Sequence, residues 1–155
     1  MTSVRSPQIG PLLNARHREL REEIQAAIEA AGFTDFRLAH QAVFAALPAA
    51  GARMGYLANR AQLAKQTITE LVAYLADRGY VERSPDPSDG RAQLVRRTPR
   101  GDAVDLIAQA AITRTARRWR RRLGRDRFEA LTAALADLEE ISSREASRGR
   151  GTGSG

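Results

Sequence analysis

The chain has 155 residues, 43% of them hydrophobic but only 5% aromatic, and its 25 basic and 18 acidic residues give a net charge of +7. The absence of cysteine excludes disulfides, thiolate metal sites and thiol redox switches. No stretch approaches the roughly 20 apolar residues needed to span a bilayer, and the N-terminal segment has no signal-peptide pattern, so a cytoplasmic chain without membrane contact is expected.

Residues 1–11, with two prolines and a glycine, read as a loose lead-in. Leu13, Leu20, Ile24, Ala27, Ile28 and Ala31 recur at helical spacing and predict a helix over 12–31, stopped by Gly32. Thr34 and Asp35 suit the start of a second helix to about Leu47, with Phe36, Ala39, His40, Val43, Phe44 and Leu47 on one face. A short helix is predicted near 56–61. The next runs from Ala64 or Lys65 to about Arg78, with Ile68, Leu71, Val72 and Leu75 as its buried stripe at i, i+3, i+4 and i+7.

Tyr80–Arg83 then reads as a strand, 84–90 as a hairpin tip around Asp89-Gly90, and Ala92–Arg97 as the return strand. Thr98 caps a long helix with Pro99 in its first position, ending at Gly124. A last helix is predicted over 126–141, with Phe128, Leu131, Leu135, Leu138 and Ile141 as its apolar face. The Gly- and Ser-rich tail is expected to be disordered.

Helix, turn, helix, strand, basic tip and strand, in that order, predict a helix-turn-helix followed by a β-wing, an arrangement that reads DNA. The words Leu57-Ala58, TITELVAYL, DRGYVER, PDPSDGRA and LVRRTPRG occur in this order and spacing over residues 57–101. In this segment the chain resembles the MarR family of winged-helix transcription regulators. Three positions depart from the family pattern: Gln62 for a turn glycine, Ala64 for a Ser-type cap, and Arg97 for an apolar strand residue.

The resemblance implies a mainly α fold with a small β-wing: a winged helix-turn-helix core at 51–100, and flanking dimerisation helices at 12–50 and 101–145 before a tail at 146–155. It also implies a homodimer on a pseudo-palindromic operator in double-stranded DNA, with an effector pocket between the flanking helices and the DNA-binding lobe. Repression released by a small molecule is the expected mode. The alternative is a basic winged-helix architectural or protein-interaction module without sequence-specific binding.

Lys65, Gln66, Thr67 and Thr69 open the recognition helix. Lysine can donate to guanine, glutamine can pair with adenine, and threonine can touch phosphate or a thymine methyl. At the wing, Arg91 suits a narrow minor groove, with Asp89 as its orienter, and Arg83 and Arg96 suit phosphate. Phe36, His40 and Phe44, at i, i+4 and i+8, are either core or the wall of a pocket for a small aromatic or amphiphilic acid.

Eight arginines crowd 114–127 around Trp119: Arg114, Arg117, Arg118, Arg120, Arg121, Arg122, Arg125 and Arg127. They read first as solvated charge and interface ion pairs with acids such as Glu19, Glu22, Glu23 or Asp126. An anionic effector or a second DNA contact is the other reading. Two histidines and no cysteine give no catalytic set and no metal-ligand spacing, so neither enzyme activity nor a metal or cofactor is expected.

Overall fold

The computed structural model describes the backbone of residues 9–151, and the side chains of these except 143 and 145–151. In chain order the elements are α1 (Ile9–Ala30), a 3-10 turn (Leu38–His40), α2 (Gln41–Ala46), β1 (Ala52–Arg53), α3 (Met54–Ala61), α4 (Lys65–Asp77), β2 (Val81–Asp86), β3 (Asp89–Arg97), α5 (Pro99–Leu123) and α6 (Arg125–Gly151). The three strands form one antiparallel sheet in the order β1-β3-β2. A mainly helical chain with a small wing is the fold expected from the sequence. By its contacts it divides into two compact units, one up to Thr113 and one from Arg114.

The first unit holds the core. Ile24 and Ile28 of α1, Val43 and Phe44 of α2, Leu57 of α3, Ile68, Val72 and Leu75 of α4, and Val95 of β3 are buried in one cluster with Val104 and Ala111 of α5. α1 begins at Ile9 rather than after residue 11 because Pro11 sits in its first turn, where a missing N–H leaves no bond unmade. Of the lead-in expected over residues 1–11, residues 9–11 are thus helical, and residues 1–8 lie outside the described residues. At its other end, the Gly32 N–H donates to Glu29 O at 2.9 Å and the Phe33 N–H to Ile28 O at 3.2 Å, closing the helix as expected.

The helix expected from Asp35 to Leu47 is not continuous. Arg37 is extended (φ −101°, ψ 163°), and helical backbone resumes only in the 3-10 turn and α2. Asp35 does not serve a helix N-terminus. Its carboxylate accepts from the Tyr80 hydroxyl and from Arg100, so tertiary partners override the local capping signal. Gly101 lies so close to the chain that a Cβ there would come within 2.1 Å of Tyr80 O. Only glycine lets α5 start against the strand. Thr98 caps this start as expected, accepting from the Gly101 N–H at 3.2 Å.

In the second unit the last part of α5 turns into α6 at Gly124, whose φ of +84° suits glycine. Glu129 accepts from Arg120 at 3.2 Å and from Arg125 at 2.9 Å, bracketing this corner. α6 continues to Gly151, ten residues past the expected end at Ile141. Between 142 and 151 there is no proline to stop it, and Arg144 pairs with Glu140 one turn back at 3.1 Å. The irregular tail expected from 146 is thus helical to 151, and 152–155 lie outside the described residues.

Candidate nucleic-acid interface

The recognition helix is positioned by the turn before it. α3 ends on Gln62 in the left-handed region (φ 54°, ψ 39°), and the Leu63 N–H donates to Ala58 O at 3.1 Å. The turn closes without the usual glycine. Ala64 has the extended geometry of a cap residue but makes no side-chain cap bond, so α4 begins uncapped. Ile68, Val72 and Leu75 are fully buried along one stripe of α4, and Leu71 is half-buried. This fixes the rotation of the helix. Lys65, Gln66, Thr67 and Thr69 are all exposed in its first two turns. The Gln66 amide donates to Glu70 at 3.2 Å and the Thr69 hydroxyl to Lys65 O at 2.7 Å. The Lys65 ammonium has no partner among the described residues.

The wing is longer and its tip tighter than expected. β2 extends to Asp86, the turn residues are Pro87 and Ser88, and β3 already begins at Asp89. Asp89-Gly90 is therefore strand rather than turn, and Gly90 is not among the glycines with positive φ. The cause is Asp86. Its Oδ1 accepts from the Ser88 N–H at 2.8 Å and from the Ser88 hydroxyl at 2.7 Å, closing an Asx-type turn. Its Oδ2 accepts from Arg53 Nε of β1 at 2.6 Å, and Arg53 Nη2 also donates to the Ser88 hydroxyl at 3.2 Å. The Ser88 bonds, and then Arg53, pull the Asp86 pKa down to about 2.

The Arg91 side chain is exposed, with no partner for its guanidinium among the described residues. Asp89 does not hold that guanidinium as expected; its carboxylate accepts the Arg91 backbone N–H at 3.2 Å instead. Arg83, opposite Val95 in the ladder, is exposed, with no partner for its guanidinium among the described residues. Arg96 is half-buried, with its Nε on Ala50 O at 3.3 Å, so its side chain is already engaged with the loop before β1. Arg97, the odd residue in the strand, donates to Leu47 O at 2.8 Å and to Asp102 at 3.0 Å. It ties the end of α2 to the start of α5, which accounts for a charge at an otherwise apolar position.

Phe36, His40 and Phe44 come together as tightly packed core. Their exposures are 1%, 4% and 8%. The Phe36 ring meets those of His40, Phe44 and Tyr80 at 5.4, 5.0 and 5.3 Å. His40 stacks on Tyr74, on the recognition helix, at 4.6 Å. Its Nδ1 accepts the Arg37 N–H at 2.9 Å, and burial, then the nearby Arg37 charge, lowers its pKa.

A second cluster, which sequence reasoning missed, lies beside it. The Tyr80 hydroxyl donates to Asp35 and accepts from Arg100 at 3.1 Å, Arg100 lies over the Tyr80 ring at 4.6 Å, and the Tyr74 hydroxyl donates to Asp35 O at 2.9 Å. The Tyr80 bond, and less strongly Arg100 and Arg78, lowers the Asp35 pKa. These contacts brace the back of α4 from the loop after α1. No group of three His, Cys, Asp or Glu residues that could hold a metal ion occurs among the described residues. No described helix is long and apolar enough to cross a membrane.

Residues 37–92, from the 3-10 turn through the wing tip, match the MarR family. The chain is 33% identical over 84 residues to the uncharacterized HTH-type transcriptional regulator Mb0904 of Mycobacterium bovis, covering 54% of this chain and 53% of that protein. It thus spans about half the length of the curated relatives it matches. Wild-type MarR from E. coli in its apo form shares the fold at a TM-score of 0.67, with 19% identity over 86% of this chain and 98% of the other. CouR from Rhodococcus jostii RHA1, solved bound to p-coumaroyl-CoA, does so at 0.68, with 24% identity over 88% and 95%. Its winged core, residues 37–92, thus resembles the MarR family of winged helix-turn-helix transcription regulators, and the chain shares the fold of these solved structures.

Proposed function

We propose that this chain is a sequence-specific reader of double-stranded DNA that regulates transcription as a homodimer, most simply as a repressor released by a small molecule. The observation that carries the reading is the division of α4. Its apolar stripe is buried, while Lys65, Gln66, Thr67 and Thr69 face solvent beside a wing whose Arg83 and Arg91 guanidinium groups have no partner among the described residues. A helix that presents donors and acceptors over two turns can meet base edges in a major groove, and cations beside it can meet phosphates or the minor groove. Asp89 then acts on the wing backbone, and Arg96, bonded to the loop, contacts phosphate only by leaving Ala50 O.

The dimer is assigned to the apolar faces left open in the single chain. Leu12 and Leu13 of α1 are 64% and 47% exposed, and Leu135 and Leu138 of α6 are 43% and 60% exposed. The effector belongs to the same reading: a small aromatic or amphiphilic acid, a class in keeping with the p-coumaroyl-CoA named for CouR. A ligand seated at Phe36, His40 and Phe44 has to part rings that touch in this structure. It would act through Tyr74 on the recognition helix, and it shifts the population only if it prefers the released geometry.

Footprinting on the DNA flanking the chain's own gene tests the function. The reading expects one protected inverted repeat, bound about a thousandfold or more tighter than random duplex. Uniform weak binding without a protected site would instead mark a basic architectural module.

A further inference from the structure

The net charge of the chain is concentrated in a stretch of sequence outside α4. From Arg114 to Arg127 there are eight arginines and one acid, Asp126. That is a net +7 in 14 residues, equal to the net charge of the whole chain, so the rest of the sequence is neutral. Arg120 and Arg125 are accounted for by Glu129. Arg114, Arg117 and Arg121 are exposed and have no acidic partner among the described residues. At i, i+3 and i+7 these three exposed arginines lie along one side of α5. Like charges at these spacings repel, so the helix carries this face at a cost that an anionic partner would remove.

The form of the face indicates the partner. Between Arg114 and Arg121 the helix rises about 10 Å, a length over which duplex DNA displays about six phosphates. Guanidinium groups match phosphate oxygens in pairs. Every exposed residue from 113 to 122 is an arginine except Thr113. The stretch therefore has no exposed apolar side chain to insert into a lipid surface, as interfacial helices do.

We propose that Arg114, Arg117 and Arg121 form a second phosphate-binding face that engages the backbone of double-stranded DNA separately from the bases read by α4. The proposal goes beyond operator recognition and stands without it, because backbone contact is blind to sequence.

The test is the full chain carrying Arg114→Gln, Arg117→Gln and Arg121→Gln together. All three positions are exposed, and glutamine is a good helix former, so the fold survives, as circular dichroism and melting would verify. Binding of wild type and variant is measured against salt on a long random-sequence duplex and on anionic lipid vesicles, and a base preference is selected from a duplex library. With three phosphate contacts per protomer, the wild type loses about 40-fold more affinity for the random duplex than the variant between about 50 and 200 mM salt for each protomer that engages the duplex. The selected preference stays the same. An unchanged salt slope on the random duplex overturns the proposal, and so does a loss confined to vesicles. If operator reading itself is wrong, neither protein selects a motif, yet the difference in salt slope remains.

Discussion

Gln62 holds a φ of 54°, a conformation that costs a non-glycine residue about 1–2 kcal/mol, and Ala64 leaves the first N–H groups of α4 without a side-chain acceptor. Both departures sit just before the helix assigned to DNA. Gln62→Gly should stabilise the chain by about 0.5–1 kcal/mol once the greater freedom of the unfolded glycine is counted. Ala64→Ser should add about 1 kcal/mol through a cap bond. Urea titration checks both, and a loss of stability in either would mean that the turn is held by something other than these backbone bonds. Asp86 gives a pH prediction. Its folded pKa of about 2 lies below the ordinary value, so its contribution is complete above about pH 4 and fades as pH falls toward 2. The difference in melting midpoint between wild type and Asp86→Asn should therefore be largest near neutrality and close over that window. A difference that persists unchanged at pH 2 would separate the wing turn from the charge of Asp86. This clasp was hidden in the sequence because Arg53 and Asp86 are 33 positions apart, and no local pattern links them.

Among the elements, α4 and its neighbours were legible because the spacing of Ile68, Leu71, Val72 and Leu75 records which face is buried. The stops at Gly32, Gly79 and Gly124 were legible for the same local reason, and all three have positive φ. What was misread depended on distant partners. β1 is two residues long and exists only by pairing Ala52 with Val95 and Arg53 with Leu94. The Asp89-Gly90 turn signal lost to Asp86 and Ser88, and the helix start at Thr34-Asp35 lost to Tyr80 and Arg100. At the candidate interface, residue types identified the candidates, but only the structure shows Arg96 engaged and the Arg91 guanidinium without a partner among the described residues. That difference makes a prediction for the two reading elements. Arg91→Ala should weaken binding to every duplex and lower the salt slope by about one unit per subunit. Gln66→Ala should change base preference at one position of each half-site, costing about 1–3 kcal/mol there. Salt titrations and mismatch series separate the two, and a Gln66→Ala protein with the wild-type preference would place a different residue against the bases.

At the scale of the whole chain, α1 and α6 leave apolar side chains in water, with Leu131, Leu135, Leu138 and Ile141 on α6 between 41% and 60% exposed. Leucines at helical spacing with no cover in the single chain suit a partner helix. The full chain should be a dimer by light scattering at micromolar concentration. Leu135→Glu together with Leu138→Glu should shift it toward monomer while keeping its helical content, and a wild-type monomer at that concentration would contradict the assembly. Dimer symmetry and base reading meet in a single observable, the sequence that the full chain selects from a library of randomised duplexes. A symmetric reader selects an inverted repeat whose half-sites lie one helical turn apart, about 34 Å centre to centre. Recovery of no enriched motif, or of a single half-site without a symmetric mate, would contradict that expectation.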